Sequence, residues 1–323
     1  MKVFIPRVIP DIGLQILTEA GCTITQFTDK RDLSREEMIR YCQQNDALLN
    51  VGFKIDADFL RQCSHLKVIA LLSVGFDNVD VAEATRLRIP IGNTPGVLSN
   101  ATADTAFLLM LAVSRRAFYM HKLIPRGEWG SFESTTNLGI ELNGLTLGIF
   151  GMGKIGFELA RKCKGAFGMK IIYHNRRPNE KAEKELGASL VSFDVLLEQS
   201  DVISLHAALT DETRGLFDQK AFGKMKPSSI FINTARGGMH NEKDLLAALQ
   251  TGTIWGAGLD VTNPEPMDKD NPLLDMPCVA VLPHIGSATV EASNGMATIA
   301  AKNILAGLKG EPLPCAVNPE IYA

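Results

Sequence analysis

One pattern governs the second half of this chain: a short apolar run, a stretch with helical spacing, then the next short apolar run. TLGIF (146–150), MKIIYH (169–174), DVISLHA (201–207), SSIFIN (228–233), IWGAGLDV (254–261) and CVAVL (278–282) follow one another in this way. Short apolar runs bounded by turn residues read as strands buried on both faces. Strands alternating with helices imply a parallel sheet with helices on each side. The first hundred residues repeat the theme on a smaller scale, with KVFIP (2–6), TITQF (23–27), ALLNV (47–51) and KVIALL (67–72) as strands. IGLQILTEAG and SREEMIRYCQQ read as amphipathic helices between them, the second with Ser34 as N-cap and Glu37 completing a capping box. The fold class is therefore α/β: two doubly wound parallel sheets in two Rossmann-like or flavodoxin-like domains.

A chain of 323 residues has the length for two such domains. A long helix is expected from about Thr102 to Lys122, closed by Pro125 and Gly127, and it begins at the turn-rich segment NTPGVLSN (93–100), a natural hinge. GEWGSFESTTNLGI (127–140) is polar and aperiodic and reads as a loop or arm. The final helix, VEASNGMATIAAKNILAGLKG, can return the chain to the first domain. The expected division is residues 1–98 with 286–323 in one discontinuous domain, and 99–285 in the other.

Composition excludes several classes. A net charge of −3 leaves no basic footprint for nucleic acid or an anionic membrane. The apolar stretch AFLLMLAV (106–113) is too short to span a bilayer. The six cysteines form no CxxC pair and no metal spacing, so no metal is expected. With no signal peptide in MKVFIPRVIP, the expected compartment is the reducing cytoplasm.

GMGKIG (151–156) is a Gly-x-Gly-x-x-Gly set between a strand and a helix. In that context Gly151 permits the tight turn, Gly153 lets the backbone approach a pyrophosphate, and Gly156 allows close helix–sheet packing. The helix N-terminus then offers amides and a positive dipole end to phosphates. About twenty residues further on, the usual carboxylate for a ribose 2′-hydroxyl is expected. The chain reads Tyr173-His174-Asn175-Arg176-Arg177 there instead. Arginine can bind a 2′-phosphate that a carboxylate would repel, so NADP(H) is the expected cofactor, with NAD(H) as second choice. Arg236, Glu265 and His284 each follow one of the later strands, where an open parallel sheet gathers its chemistry. A carboxylate bonded to an imidazole holds the ring's proton near neutral pH, ready for a developing alkoxide. A planar guanidinium suits a carboxylate-bearing substrate. A dinucleotide site beside such a set points to hydride transfer on a small oxo acid.

Together GMGKIG, SLHAALTDET, FINTARGG, GLDVTNPEP and LPHIGSAT resemble the D-isomer-specific 2-hydroxyacid dehydrogenase family, over nearly the whole chain. The tail LAGLKGEPLP and the His-Asn-Arg-Arg turn are similar to its NADPH-preferring glyoxylate/hydroxypyruvate reductase and 2-ketogluconate reductase branch. The resemblance implies an active site in the interdomain cleft, with residues 1–98 and 286–323 binding substrate and 99–285 binding NAD(P). It implies that His284 is the acid/base, Glu265 its partner and Arg236 the anchor for carboxylate and carbonyl. Val74 and Gly75 would give backbone amides to the carboxylate, with the loop at Gly52 also facing substrate, and Phe132 stands where some glyoxylate/hydroxypyruvate reductases place an arm tryptophan that enters the partner's active site. Asp260 would bond the nicotinamide carboxamide. Thr102, Lys154, Ile155, His206, Thr213, Ala235, His284 and Gly286 would complete the cofactor contacts, beside Gly151, Gly153, Gly156, Asn175, Arg176 and Arg177. A homodimer through the nucleotide domains is implied as well, the long helix and arm crossing its interface. The expected reaction is NADPH-preferring reduction of glyoxylate, hydroxypyruvate or a related 2-oxo acid to the D-2-hydroxy acid. Glu265 argues against formate dehydrogenases, which resemble the family but carry glutamine there, and an end at residue 323 argues against phosphoglycerate dehydrogenases with regulatory domains. A nucleotide-sensing corepressor scaffold on the same fold stays open, because it can retain all three catalytic residues.

Overall fold

The computed structural model describes residues 1–131 and 133–323. The chain divides into two units, Met1–Leu98 with Ala288–Ala323, and Ser99–Ser287. The first unit opens with β1 (Lys2–Ile5), α1 (Asp11–Glu19), β2 (Thr23–Gln26), α2 (Arg35–Gln43), β3 (Ala47–Asn50), α3 (Ala57–Gln62), β4 (Val68–Leu71), α4 (Val81–Arg86) and β5 (Ile91–Gly92). These strands form one parallel sheet in the order β2-β1-β3-β4-β5, the flavodoxin-like arrangement. Every residue of β3 and β4 is buried, because helices cover both faces. Ser34 caps α2 and exchanges the two bonds of a capping box with Glu37.

The second unit contains α5 (Ser99–Ser114), α6 (Ala117–Leu123), β6 (Thr146–Phe150), α7 (Lys154–Phe167), β7 (Lys170–His174), α8 (Glu180–Leu186), β8 (Ser189–Leu190), α9 (Phe193–Gln199), β9 (Val202–Leu205), α10 (Gln219–Lys224), β10 (Ile230–Asn233), α11 (Glu242–Gln250), β11 (Gly256–Leu259) and β12 (Val279–Val281). Its sheet runs β12-β11-β10-β9-β6-β7-β8, all parallel. Six strands were expected here, and the seventh is β8, a two-residue exposed edge too short and polar to stand out as a pattern. The chain then returns to the first unit as α12 (Val290–Lys309), which packs on α1, β3 and β4.

The single helix expected from about Thr102 to Lys122 is in fact α5 and α6, broken at Arg115–Arg116. Arg116 adopts the left-handed conformation, with φ 53°. The Ser114 carbonyl, which would have continued the ladder, accepts instead from Ile140 N–H at 2.9 Å. Gly139 lies so close to that carbonyl that a Cβ would collide with it. The Arg116 guanidinium sits 4.9 Å above the Trp255 ring, which favours the kink.

Each sheet separates two apolar clusters. In the second unit one face packs around Ala106, Leu109, Ile149, Leu159 and Ile232, the other around Phe217, Phe222, Phe231, Leu245 and Leu259. Among the described residues no helix is long and apolar enough to cross a membrane.

Candidate active site

In the second unit the strand order reverses between β6 and β9, and crevices at such switch points, at the carboxyl ends of strands, are where open α/β sheets bind ligands. The glycine turn follows β6 at this place. Gly151 has φ +98°, and a Cβ on it would lie 2.5 Å from Ala207 N, so only glycine fits between β6 and β9. A Cβ on Gly156 would approach Gly151 O to 2.7 Å and Ile149 Cγ2 to 2.8 Å, which is the close helix–sheet contact. A Cβ on Gly153 would meet nothing within 4 Å. Gly153 is also the N-cap of α7 and gives it no side-chain bond, so the first-turn amides, on Lys154 and Ile155 among them, are left for a ligand. A cradle of this kind fits the pyrophosphate of a dinucleotide.

The turn after β7 is tied to the glycines. Met152 N donates to Asn175 Oδ1 at 2.7 Å, Asn179 Nδ2 donates to Met152 O at 2.8 Å, and Gly151 N donates to His174 O at 3.1 Å. Arg176 and Arg177 are thereby held next to the cradle, both exposed. After β9, His206 Nε2 pairs with Ser204 Oγ at 2.9 Å, and burial pushes the ring down to about 3, so it is neutral. Thr213 closes the following loop, its hydroxyl donating to Ala208 O and accepting from Thr210 N, each at 2.8 Å.

The turn after β10 is organised by Asn233, which is fully buried. Its Oδ1 accepts from Ala235 N at 2.9 Å, and its Nδ2 donates to Arg236 O at 2.9 Å and to His240 Nδ1 at 3.0 Å. Burial pushes His240 down to about 4, leaving the neutral ring that this bond requires. Gly237 backs directly onto Thr262 O, so any side chain there would separate the Arg236 turn from the loop after β11.

After β11 and β12 the chain brings together Asp260, Glu265 and His284. His284 Nδ1 donates to Glu265 Oε1 at 2.5 Å. That bond raises the imidazolium pKa; burial opposes it, Arg236 pushes it down, and Asp260 adds a smaller rise. The two side chains are 48% and 40% exposed, and the Glu265 bond takes Nδ1, leaving Nε2 as the nitrogen for an incoming molecule. His284 has φ 54°, a conformation that a residue other than glycine holds only where its surroundings insist. The insistence comes from Asp260, which is buried: its carbonyl accepts from His284 N at 2.9 Å, and its carboxylate accepts from Ile285 N at 2.8 Å and Gly286 N at 2.7 Å. Desolvation raises the Asp260 pKa, which these two amides oppose. Gly286 fits because a Cβ would stand 2.9 Å from Asp260 Oδ2 and 3.4 Å from Thr102 Cγ2, which also places Thr102 at this turn.

In the first unit Val74 and Gly75 form the turn after β4, and Gly52, exposed with φ +76°, lies in the loop after β3. That loop is held at Phe53 O, which accepts from Asn50 Nδ2 and Asn78 Nδ2, each at 2.9 Å. Phe132 lies outside the described residues. Asn50, Asn175 and Asn233 were not singled out as turn holders from sequence, although each stands at the end of a strand and bonds back to a nearby turn; that position was the available signal. No cluster of metal-binding side chains occurs among the described residues.

Residues 107–286 match the family model for the D-isomer specific 2-hydroxyacid dehydrogenase, NAD binding domain. The chain is 44% identical to a glyoxylate reductase of Thermococcus litoralis, over 99% of this chain and 97% of that protein. A crystal structure of a glyoxylate reductase from Paecilomyes thermophila superposes with a TM-score of 0.87 at 37% identity, covering 99% of each chain. The NADPH-dependent glyoxylate/hydroxypyruvate reductase of Sinorhizobium meliloti, solved with NADP and malonate, gives a TM-score of 0.83 at 30% identity, covering 98% of this chain and 97% of that one. With its glycine cradle, its histidine–carboxylate pair and these relatives along its whole length, the chain belongs to the D-isomer specific 2-hydroxyacid dehydrogenase family of NAD(P)-dependent oxidoreductases.

Proposed function

We propose that the protein reduces glyoxylate, hydroxypyruvate or a related small 2-oxo acid to the D-2-hydroxy acid, with NADPH preferred over NADH. The observation that carries this reading is the 2.5 Å bond between His284 and Glu265 at the carboxyl edge of the dinucleotide-type sheet, close enough to Arg236 for its charge to act on the ring. Glu265 occupies Nδ1, so Nε2 gives the proton to the oxygen of the reduced carbonyl. Arg236 polarises that carbonyl and stabilises the negative charge that develops there. The amides of Val74 and Gly75 take the carboxylate, and Gly52 borders the rest of the substrate. The bound coenzyme supplies the hydride. Gly151, Gly153, Lys154, Ile155 and Gly156 would hold its pyrophosphate, and Thr102, His206, Thr213, Ala235, Asp260 and Gly286 would surround the remainder. Both Asp260 oxygens already accept backbone amides, and each keeps a lone pair for the carboxamide.

Arg176 and Arg177 support the coenzyme preference, because nothing anionic stands in the turn that would receive a ribose 2′-phosphate. We also propose a homodimer through the second unit. Leu108 on α5 and Met120 and Ile124 on and beside α6 are exposed, as is Trp129 in the segment that follows. Light scattering would report the mass. The test of function is a steady-state screen of glyoxylate, hydroxypyruvate, 2-ketogluconate and pyruvate with each coenzyme. Replacing Arg176 or Arg177 with Ala should weaken NADPH about ten- to a hundredfold, the worth of one charge-assisted bond, and leave NADH unchanged. Equal kcat/KM for the two coenzymes in the parent would remove the preference.

A further inference from the structure

Three successive peptide planes at the end of β4 are fixed by their carbonyls. Ser73 O accepts from Thr94 N at 3.0 Å, Val74 O accepts from Asn93 Nδ2 at 2.8 Å, and Gly75 O accepts from Ser73 Oγ at 2.8 Å. In a trans peptide the N–H points opposite to the carbonyl of the preceding residue. Holding each carbonyl therefore fixes the N–H of the residue that follows it, Val74, Gly75 and Phe76 in turn, away from that carbonyl's donor. Among the described residues none of these three amides donates a hydrogen bond within the chain. The turn is half-buried at Val74 and Gly75, where an unused donor has a cost unless something meets it.

Asn93 is itself immobilised. Its N–H donates to Cys315 O at 3.1 Å, and its carbonyl accepts from Asn303 Nδ2 at 3.0 Å. Asn303 is fully buried on α12, and its Oδ1 accepts from Cys315 N at 3.1 Å. It fits there because residue 92 is glycine: a Cβ on Gly92 would stand 2.6 Å from Asn303 Nδ2. The C-terminal helix and tail thus hold one residue whose free amide group reaches a single carbonyl of the turn.

We propose that Asn93 is a positioning residue for the substrate's carboxylate. It fixes the Val74–Gly75 peptide so that the Gly75 N–H, beside those of Val74 and Phe76, faces an incoming anion; Ser73 does the same for the next plane. Successive backbone amides that have no partner within the chain can form an anion-binding concavity. The inference rests on the 2-oxo acid reading above, and two readouts keep them apart. Turnover of glyoxylate by the parent tests that reading. The ratio of oxalate affinities of variant and parent, measured by calorimetry in the NADP+ complex, tests Asn93.

Asn93→Ala should raise the glyoxylate KM and the oxalate dissociation constant at least ~10-fold, the worth of one well-placed hydrogen bond. kcat should stay within about threefold, because the proton donor and the carbonyl anchor are untouched. NADPH affinity should not change. Ser73→Ala should act in the same direction, while Ser73→Thr keeps the hydroxyl donor and should behave as the parent. An unchanged oxalate affinity in Asn93→Ala overturns the proposal. So does a parent that binds no oxalate, or a loss of NADPH affinity that parallels the loss of oxalate. Should the parent fail to turn over glyoxylate while Asn93→Ala still loses oxalate selectively, the proposal stands and the choice of substrate falls.

Discussion

An imidazole that must hand over a proton near neutral pH needs an anion against its far nitrogen, and His284 has one in Glu265. The sign of the effect follows from charge. Glu265 raises the imidazolium pKa, so in the proposed role the ring stays protonated, and reduction should proceed, up to a higher pH than a free histidine would allow. Glu265→Gln keeps the shape and removes the charge. The upper limb of kcat/KM for reduction should then move to lower pH, while oxidation of the D-hydroxy acid, which needs the neutral ring, should begin at lower pH. His284→Ala should lose at least ~10² in kcat with NADPH still bound. A pH–rate profile of the parent and the Glu265 variant decides the matter. An upper limb that stays in place, or moves to higher pH, would falsify the pairing of roles.

The glycine turn and α7 show how differently three glycines serve one motif. Gly153→Ala puts its methyl in open space, so the melting temperature should be unchanged. The same methyl should obstruct the pyrophosphate and cost at least ~10-fold in NADPH affinity, or about 1.4 kcal/mol. Gly156→Ala drives its methyl against Gly151 O and Ile149, and should destabilise the protein by about 1–3 kcal/mol, as overpacking does. Calorimetric melting of both variants, with NADPH titrations, separates the two; a destabilised Gly153→Ala would deny the open cradle. The strands and this turn were legible in the sequence because apolar runs and glycine spacing are local signals. The capping box at Ser34–Glu37 was legible for the same reason. The break at Arg116 was not, since it depends on Gly139 and Ile140 arriving from more than twenty residues away. The candidate site divides similarly. Arg236, Glu265 and His284 were visible from their positions after strands. What holds them, Asn233 under the Arg236 turn and the Asp260 carboxylate across residues 285–286, depends on which loops lie side by side.

Each unit has its own apolar clusters: among the described residues, those of the first draw on residues 3–91 and 300–317, and those of the second on residues 103–282. The chain nevertheless enters the first unit twice, and α12 contributes Ala300, Ala301 and Ile304 to the cluster shared with β1, β3 and β4. The first fold therefore cannot be completed until the last helix has been made, although the second has all its elements by Ser287. The proposed coenzyme contacts all fall within Ser99–Ser287, so binding free energy should enter through that unit. A ligand at a hundred times its dissociation constant stabilises what it binds by about 2.7 kcal/mol, a factor of roughly 10² in the opening equilibrium. NADPH should therefore slow exchange of the most protected amides of β6, β9 and β10 by about that factor, since these strands lie at the centre of the second sheet. Amides of β1, β3 and β4 should slow by less than about threefold if each unit opens on its own. Hydrogen exchange read by mass spectrometry, with peptides assigned to the two sheets, makes the comparison directly. Equal slowing in both sheets would mean that the two units open together as one cooperative body, and protection confined to the first would remove the coenzyme from the glycine cradle.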